Sequence, residues 1–143
     1  MRRAMRGTGC ALLVLLAAAA CDGAKREASA VVGAIDRYRD AENAQKPERA
    51  DALDQVPCTD AEVCAAKNAC TKAADATAKG LRLQREVAKG LDALKAEKHT
   101  PDSPAGADLA TKLQQSTDLL ADGDAAMPEC DRQVTALRIK YSL

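Results

Sequence analysis

The chain reads as all-α: an antiparallel three- or four-helix bundle built on a long helical hairpin and stapled by disulfides. Three observations predict this. Apolar residues recur at steps of three and four, which puts them on one face of a helix. Alanine, the best helix former, is abundant throughout. Four cysteines, Cys58, Cys64, Cys70 and Cys130, can supply the cross-links that a thin core needs. The core is thin because Leu, Ile and Val together number 19 after residue 20, with no Phe or Trp and two tyrosines. Such a fraction borders on disordered composition, but chains of that kind carry a high net charge and this one does not. Alanine faces let helices approach closely, so dispersion contacts partly replace bulky side chains.

The first element, in chain order, is not part of the bundle. Arg2, Arg3 and Arg6 precede an uncharged run from Thr8 to Cys21 that contains LLVLLAAAAC. A positive head, a short apolar stretch and small residues before a cut describe a secretory signal peptide. The run is too short to span a bilayer as a helix. A cysteine directly after Ala18, Ala19 and Ala20 resembles the signal of bacterial lipoproteins. That resemblance covers about the first 22 residues and implies that Cys21 is acylated and becomes the mature N-terminus. Ala18 stands where the lipoprotein signal usually has leucine, and Ala18-x-Ala20 also fits an ordinary secretory cut. The cysteine count separates the two: Cys10 leaves with the signal, and if Cys21 is acylated the remaining four make an even set, as an oxidising compartment favours. Asp22 resembles the inner-membrane retention mark of some enteric lipoproteins, so both membranes stay open. The expected organisation is a signal peptide over residues 1–20, a lipidated Cys21 with a short tether over 21–27, and a single helical domain over 28–143. Cleavage removes three arginines and no acid, turning a formal net charge of 0 into −3. With no basic excess, nucleic acid is not an expected partner.

Within the domain, Ala28, Val31, Ile35 and Tyr38 fall on one face and predict a helix over 28–45. Lys46-Pro47 ends it, since a residue before proline is pushed out of the helical region. Pro47 then opens a short helix over 47–55 with Leu53 turned inward. Thr59 with Glu62 three residues on reads as a capping box for a long helix over 59–98. Its stripe includes Cys70, Ala74, Leu81, Leu83, Val87, Leu91 and Leu94. Gly80 and Gly90 within it point to close packing against a neighbour. The stretch 99–106, with two prolines and a glycine, predicts a loop. A further helical segment carries Leu109, Leu113, Ser116 and Leu120. Asp122-Gly123-Asp124 and Pro128 are expected to interrupt it, and a last segment shows Cys130, Val134, Leu137 and Tyr141.

Helical rise decides the cysteine pairing. Cys64 and Cys70 on one helix are separated by roughly 9 Å of rise, beyond the Cα separation of about 4.4–6.8 Å that a disulfide accepts. Cys58 and Cys70 lie further apart still if helical. The pairing that remains is Cys58–Cys64 with Cys70–Cys130, and folding the hairpin about residue 102 places residue 130 within about one turn of Cys70. A four-cysteine zinc site would show closer pairs, and a redox thiol pair would show C-x-x-C.

Little else carries chemistry. His99 is a lone loop histidine, and no hydrolase elbow, zincin, Walker or Rossmann pattern occurs. Asp122, Asp124 and Glu129 cluster around Gly123 without EF-hand spacing and read as a polar turn. Asp36, Arg37, Arg39, Asp40 and Glu42 alternate in sign, as a solvated helix face does. No catalytic residue, metal or cofactor is nominated. The expectation is a non-enzymatic module of the bacterial cell envelope. Acyl chains on Cys21 would hold it at the inner or outer membrane, facing periplasm or cell surface, where it presents a helical surface to an envelope or secreted protein. The alternatives are a small inhibitor or immunity-type lipoprotein that blocks a secreted enzyme or toxin, and a carrier of a small apolar ligand, which would need a cavity of several hundred Å3. Cys21→Ser should abolish incorporation of radioactive palmitate; continued labelling would end the lipoprotein reading.

Overall fold

The computed structural model describes residues 10–96 and 103–143, with side chains from Asp22 onward. These residues form four helices and, among the described residues, no strand: α1 Cys10–Asp40, α2 Lys46–Asp54, α3 Ala61–Ala96 and α4 Pro104–Tyr141. None of the described helices is long and apolar enough to cross a membrane.

The longest contact is between α3 and α4. Pairs along it run in opposite order: Gly90 faces Leu109, Gly80 faces Ser116 and Leu120, Gly123 faces Ala73 and Thr77, and Cys70 is bonded to Cys130. Space favours glycine at three of these places, and at Gly80 and Gly123 the obstacle includes the opposite backbone. A Cβ on Gly80 would stand 2.9 Å from Leu120 Cγ and 3.0 Å from the Ser116 carbonyl oxygen. One on Gly123 would meet the Ala73 carbonyl oxygen and the Thr77 nitrogen, each at 3.1 Å. One on Gly90 would drive into the Leu109 side chain at 2.5 Å. At the tightest point the fully buried Ser116 hydroxyl donates to the Gly80 carbonyl at 2.9 Å. The Ser116 hydroxyl is thereby satisfied, whereas the buried Thr71 hydroxyl has no partner among the described residues.

On this pair lie the two shorter elements. The buried face of α1, including Ala28, Val31, Ile35 and Tyr38, touches both α3 and α4. Asp36 accepts from Arg138 of α4 at 2.7 Å through both oxygens, and Arg39 pairs with Asp131 of α4. Pro47 stands in the first turn of α2, where its missing N–H is harmless. Ala50 and Leu53 are buried beneath it, and Asp51 accepts from Arg82 of α3 at 2.7 Å. Lys46 donates to the Tyr38 and Arg39 carbonyls at 3.3 and 3.4 Å, a cation at the carboxyl end of α1. The same ammonium sits 4.8 Å above the Tyr38 ring.

Several local expectations need correction, among them the loop over 99–106, whose residues Pro104 to Gly106 already form the first turn of α4, capped by Ser103. The first helix does not begin at Ala28: residues 22–27 continue α1, because nothing in them breaks a helix and Glu27 has a partner beyond it. That helix also stops at Asp40 rather than at 45. The cap of α3 is Asp60, whose carboxylate accepts from the Glu62 and Val63 nitrogens at 3.0 and 3.1 Å, while Thr59 turns to Glu27. Finally, α4 is uninterrupted through Asp122-Gly123-Asp124 and Pro128. Gly123 is a point of close approach rather than a turn. Pro128 is exposed, so the Asp124 carbonyl it leaves without an intrahelical donor faces water.

Two disulfides join the described cysteines. Cys58 and Cys64 have a Cα separation of 5.4 Å, which is reachable because Cys58 lies in the non-helical segment before α3. Cys70 and Cys130 are 4.5 Å apart at Cα and close a loop of 60 residues. By the loop-entropy model the second contributes about 4 kcal/mol.

Gly123→Ala should destabilise the protein by about 1–2 kcal/mol in urea unfolding, because the clash is with backbone and outweighs the gain in helix propensity. Gly33→Ala, whose Cβ would meet only the Arg37 guanidinium at 3.5 Å, should instead be neutral or stabilising by up to about 1 kcal/mol.

Candidate functional site

The residues singled out by sequence are not gathered into one site. The Cys21 backbone lies in α1, and its side chain falls outside the described residues, as does His99. Cys58–Cys64 sits at the start of α3 and Cys70–Cys130 is buried between α3 and α4. Asp122, Asp124 and Glu129 are spread along α4 and exposed. Glu129 accepts from Arg132 and Gln133. No group of residues suited to a metal occurs among the described residues. The charged stretch of α1 is not simply solvated, since Asp36 and Arg39 hold α1 against α4.

Spacing alone did not reveal Glu27. Its carboxylate accepts from the Thr59 and Asp60 nitrogens at 2.7 and 3.0 Å and from the Thr59 hydroxyl at 2.5 Å. This latches α1 to the amino-terminal end of α3. The Thr59 hydroxyl, then the two backbone donors, hold its pKa below the ordinary value. A carboxylate with a lowered folded pKa contributes in full above the ordinary carboxylate range, and the contribution is lost as pH falls through the folded value. Arg132, and after it Gln133, likewise hold Glu129 down to about 2.

Concave surface is found on both flanks of the α3–α4 pair; on one, Lys72 and Ala76 face Asp122, Ala125 and Ala126 across about 430 Å3, and the other carries two depressions. An open depression of about 670 Å3 lies where α1 ends, floored by Tyr38, Thr77, Leu81 and Leu120. Its charged groups are largely spoken for: Arg39 pairs with Asp131, and Lys46 caps α1. Further toward the distal end an open groove of about 440 Å3 is lined by Val87, Leu91 and Leu94 of α3 and by Leu109, Ala110 and Leu113 of α4. Here the sequence expectation of a buried stripe fails, because Leu91 and Leu113 are 45% and 49% exposed. The physical reason is length. Tyr38 lies beside Thr77 and Leu81, the α1–α2 connection reaches Gln84 and Ala88 through Asn43 and Ala44, and α2 runs back from Arg82 toward Cys58, so nothing among the described residues covers the last turns of α3 or the first of α4. Lys95 is the one charged side chain among the described residues that line this groove.

Compared with protein-family models, with curated proteins and with solved structures, the chain matches none.

In a carboxyl titration followed by NMR, Glu27 should show a midpoint below that of an unconstrained glutamate. Thr59→Ala should move it back toward the ordinary value; an unchanged midpoint would contradict the latch.

Proposed function

We propose that the protein is a non-enzymatic module of the bacterial cell envelope, anchored through acyl chains on Cys21, that presents the distal flank of its helical pair to another envelope or secreted protein. In this reading the signal peptide is lost, and the mature chain is an antiparallel four-helix bundle built on a long hairpin. The observation that carries it is the apolar groove between the ends of α3 and α4, with Leu91 and Leu113 half-exposed. Apolar patches rimmed by polar residues mark interaction surfaces. The proximal half, by contrast, is covered by α1 and α2 and tied down by two disulfides and by ion pairs from α1 to α4 and from α2 to α3. A rigid base with a bare apolar arm suits a docking module.

The inhibitor or immunity-type role uses the same surface and differs in its consequence, namely loss of the bound protein's activity. The groove also gives the apolar-ligand carrier a volume of several hundred Å3, but its openness suits a protein surface better than an enclosed small molecule. The test is a photo-crosslinking residue at position 113 of the membrane-anchored protein in cells, compared with one at Lys89. A discrete protein adduct from 113 and none from 89 is expected. Equal adducts, or none from 113, would sink the reading.

A further inference from the structure

The groove continues a seat that is already occupied. On α3, Leu81, Gln84, Ala88, Leu91 and Lys95 follow one another at alternating steps of three and four. On α4, Leu120, Thr117, Leu113, Ala110 and Gly106 do the same in the opposite direction. A stripe of average period three and a half stays on one side of a pair of helices that wrap gently around each other. Traced back toward the base, the α3 stripe runs into Thr77, Ala74 and Cys70, and the α4 stripe into Met127, Cys130 and Val134. These belong to or pack against the core that also contains the buried face of α1. The depression at the last turn of α1 joins the two halves, since Tyr38, Leu81 and Leu120 all line it. One seam thus runs the length of the pair: α1 fills its first part, the α1–α2 connection lies beside Leu81, Gln84 and Ala88 through Asn43 and Ala44, and beyond Ala88 it has no occupant among the described residues.

We propose that the distal part of this seam receives an amphipathic helix of a partner protein, in line with α1 and beyond the α1–α2 connection. This rests on the reading above that the distal flank meets a partner, and it names what that partner offers. The kind of occupant follows from the part already filled. α1 presents alanine, valine, isoleucine and tyrosine at helical spacing to the same two helices, and helix-in-groove docking reads such i, i+3, i+4, i+7 anchors. The groove runs along α3 from Val87 to Lys95, roughly 12 Å of helix axis, room for about two turns. Its α3 rim carries one cation that lines the groove, Lys95, which reaches Asp92 only at 3.9 Å. The docked helix therefore carries small and branched apolar residues on its buried face and a carboxylate opposite Lys95. A second copy of this chain would offer two helices where the seam has room for one.

The test uses a synthetic peptide of residues 24–40, the stripe that fits the first part of the seam, with photo-leucine in place of Ile35. It is irradiated with the purified intact protein and the adducts are mapped by mass spectrometry. Adducts are expected at Leu91, Leu94, Leu109 and Leu113, with yield lowered at least tenfold by Leu113→Lys and by Leu91→Lys, both half-exposed positions that leave the core intact. Adducts confined to Val134 and Leu137 would mean that the peptide only exchanges with α1, and would overturn the proposal. So would a concentration-dependent dimer in sedimentation that Leu113→Lys abolishes, because a second copy would then hold the groove. A cellular protein adduct at position 113 without peptide labelling of the groove would remove helix docking while leaving the docking-module reading in place.

Discussion

The close approach of α3 and α4 is the constraint on which the rest of the molecule depends. With few bulky apolar side chains in the chain, energy has to come from short distances between many small groups. Gly80, Gly90 and Gly123 allow those distances, each at a point where a methyl group would strike the opposite helix. The Ser116 hydroxyl on the Gly80 carbonyl and the Cys70–Cys130 bond fix the register of the two helices. Everything else is laid on the surface they make. α1 needs Val134, Leu137 and Cys130 already in line with Ala66, Cys70 and Ala74, and α2 needs Arg82 presented to Asp51.

That dependence produces a molecule with two unlike halves. The base combines four helices, both disulfides and ion pairs that cross between elements. The distal half is two helices alone, their inner contact closed by Gly90 against Leu109 and their flank open at Leu91 and Leu113. The same alternating stripe is core in one half and surface in the other. What differs is only whether another helix reaches that far.

Much of the helical content was legible because it depends on local pattern: steps of three and four, proline at the head of α2, and a long run free of breakers in α3. Pairing by helical rise is also arithmetic that a sequence carries, and the Cα separations of 5.4 and 4.5 Å in the two disulfides lie in the range such bonds accept. The misreadings came where tertiary contact overrode local preference. Asp-Gly-Asp followed by proline has the composition of a turn, yet Gly123 is held helical by its packing on Ala73 and Thr77. Thr59 has the capping-box spacing to Glu62, yet its hydroxyl is drawn off by Glu27 and the next residue, Asp60, caps α3 instead. The groove was out of reach for a different reason. Leu91 and Leu113 sit on stripes that look like core, and no local signal says that α1 stops at the level of Thr77.

The continuity of α1 through residues 22–27 has a mechanical consequence. A flexible leader would let a tethered body tumble and sample a wide hemisphere of positions. Here the backbone of Cys21 is already in helix and the Glu27 clasp lies about 9 Å of axial rise away. Acyl chains placed there would keep the disulfide-tied base of the body, rather than the distal tip, next to the bilayer.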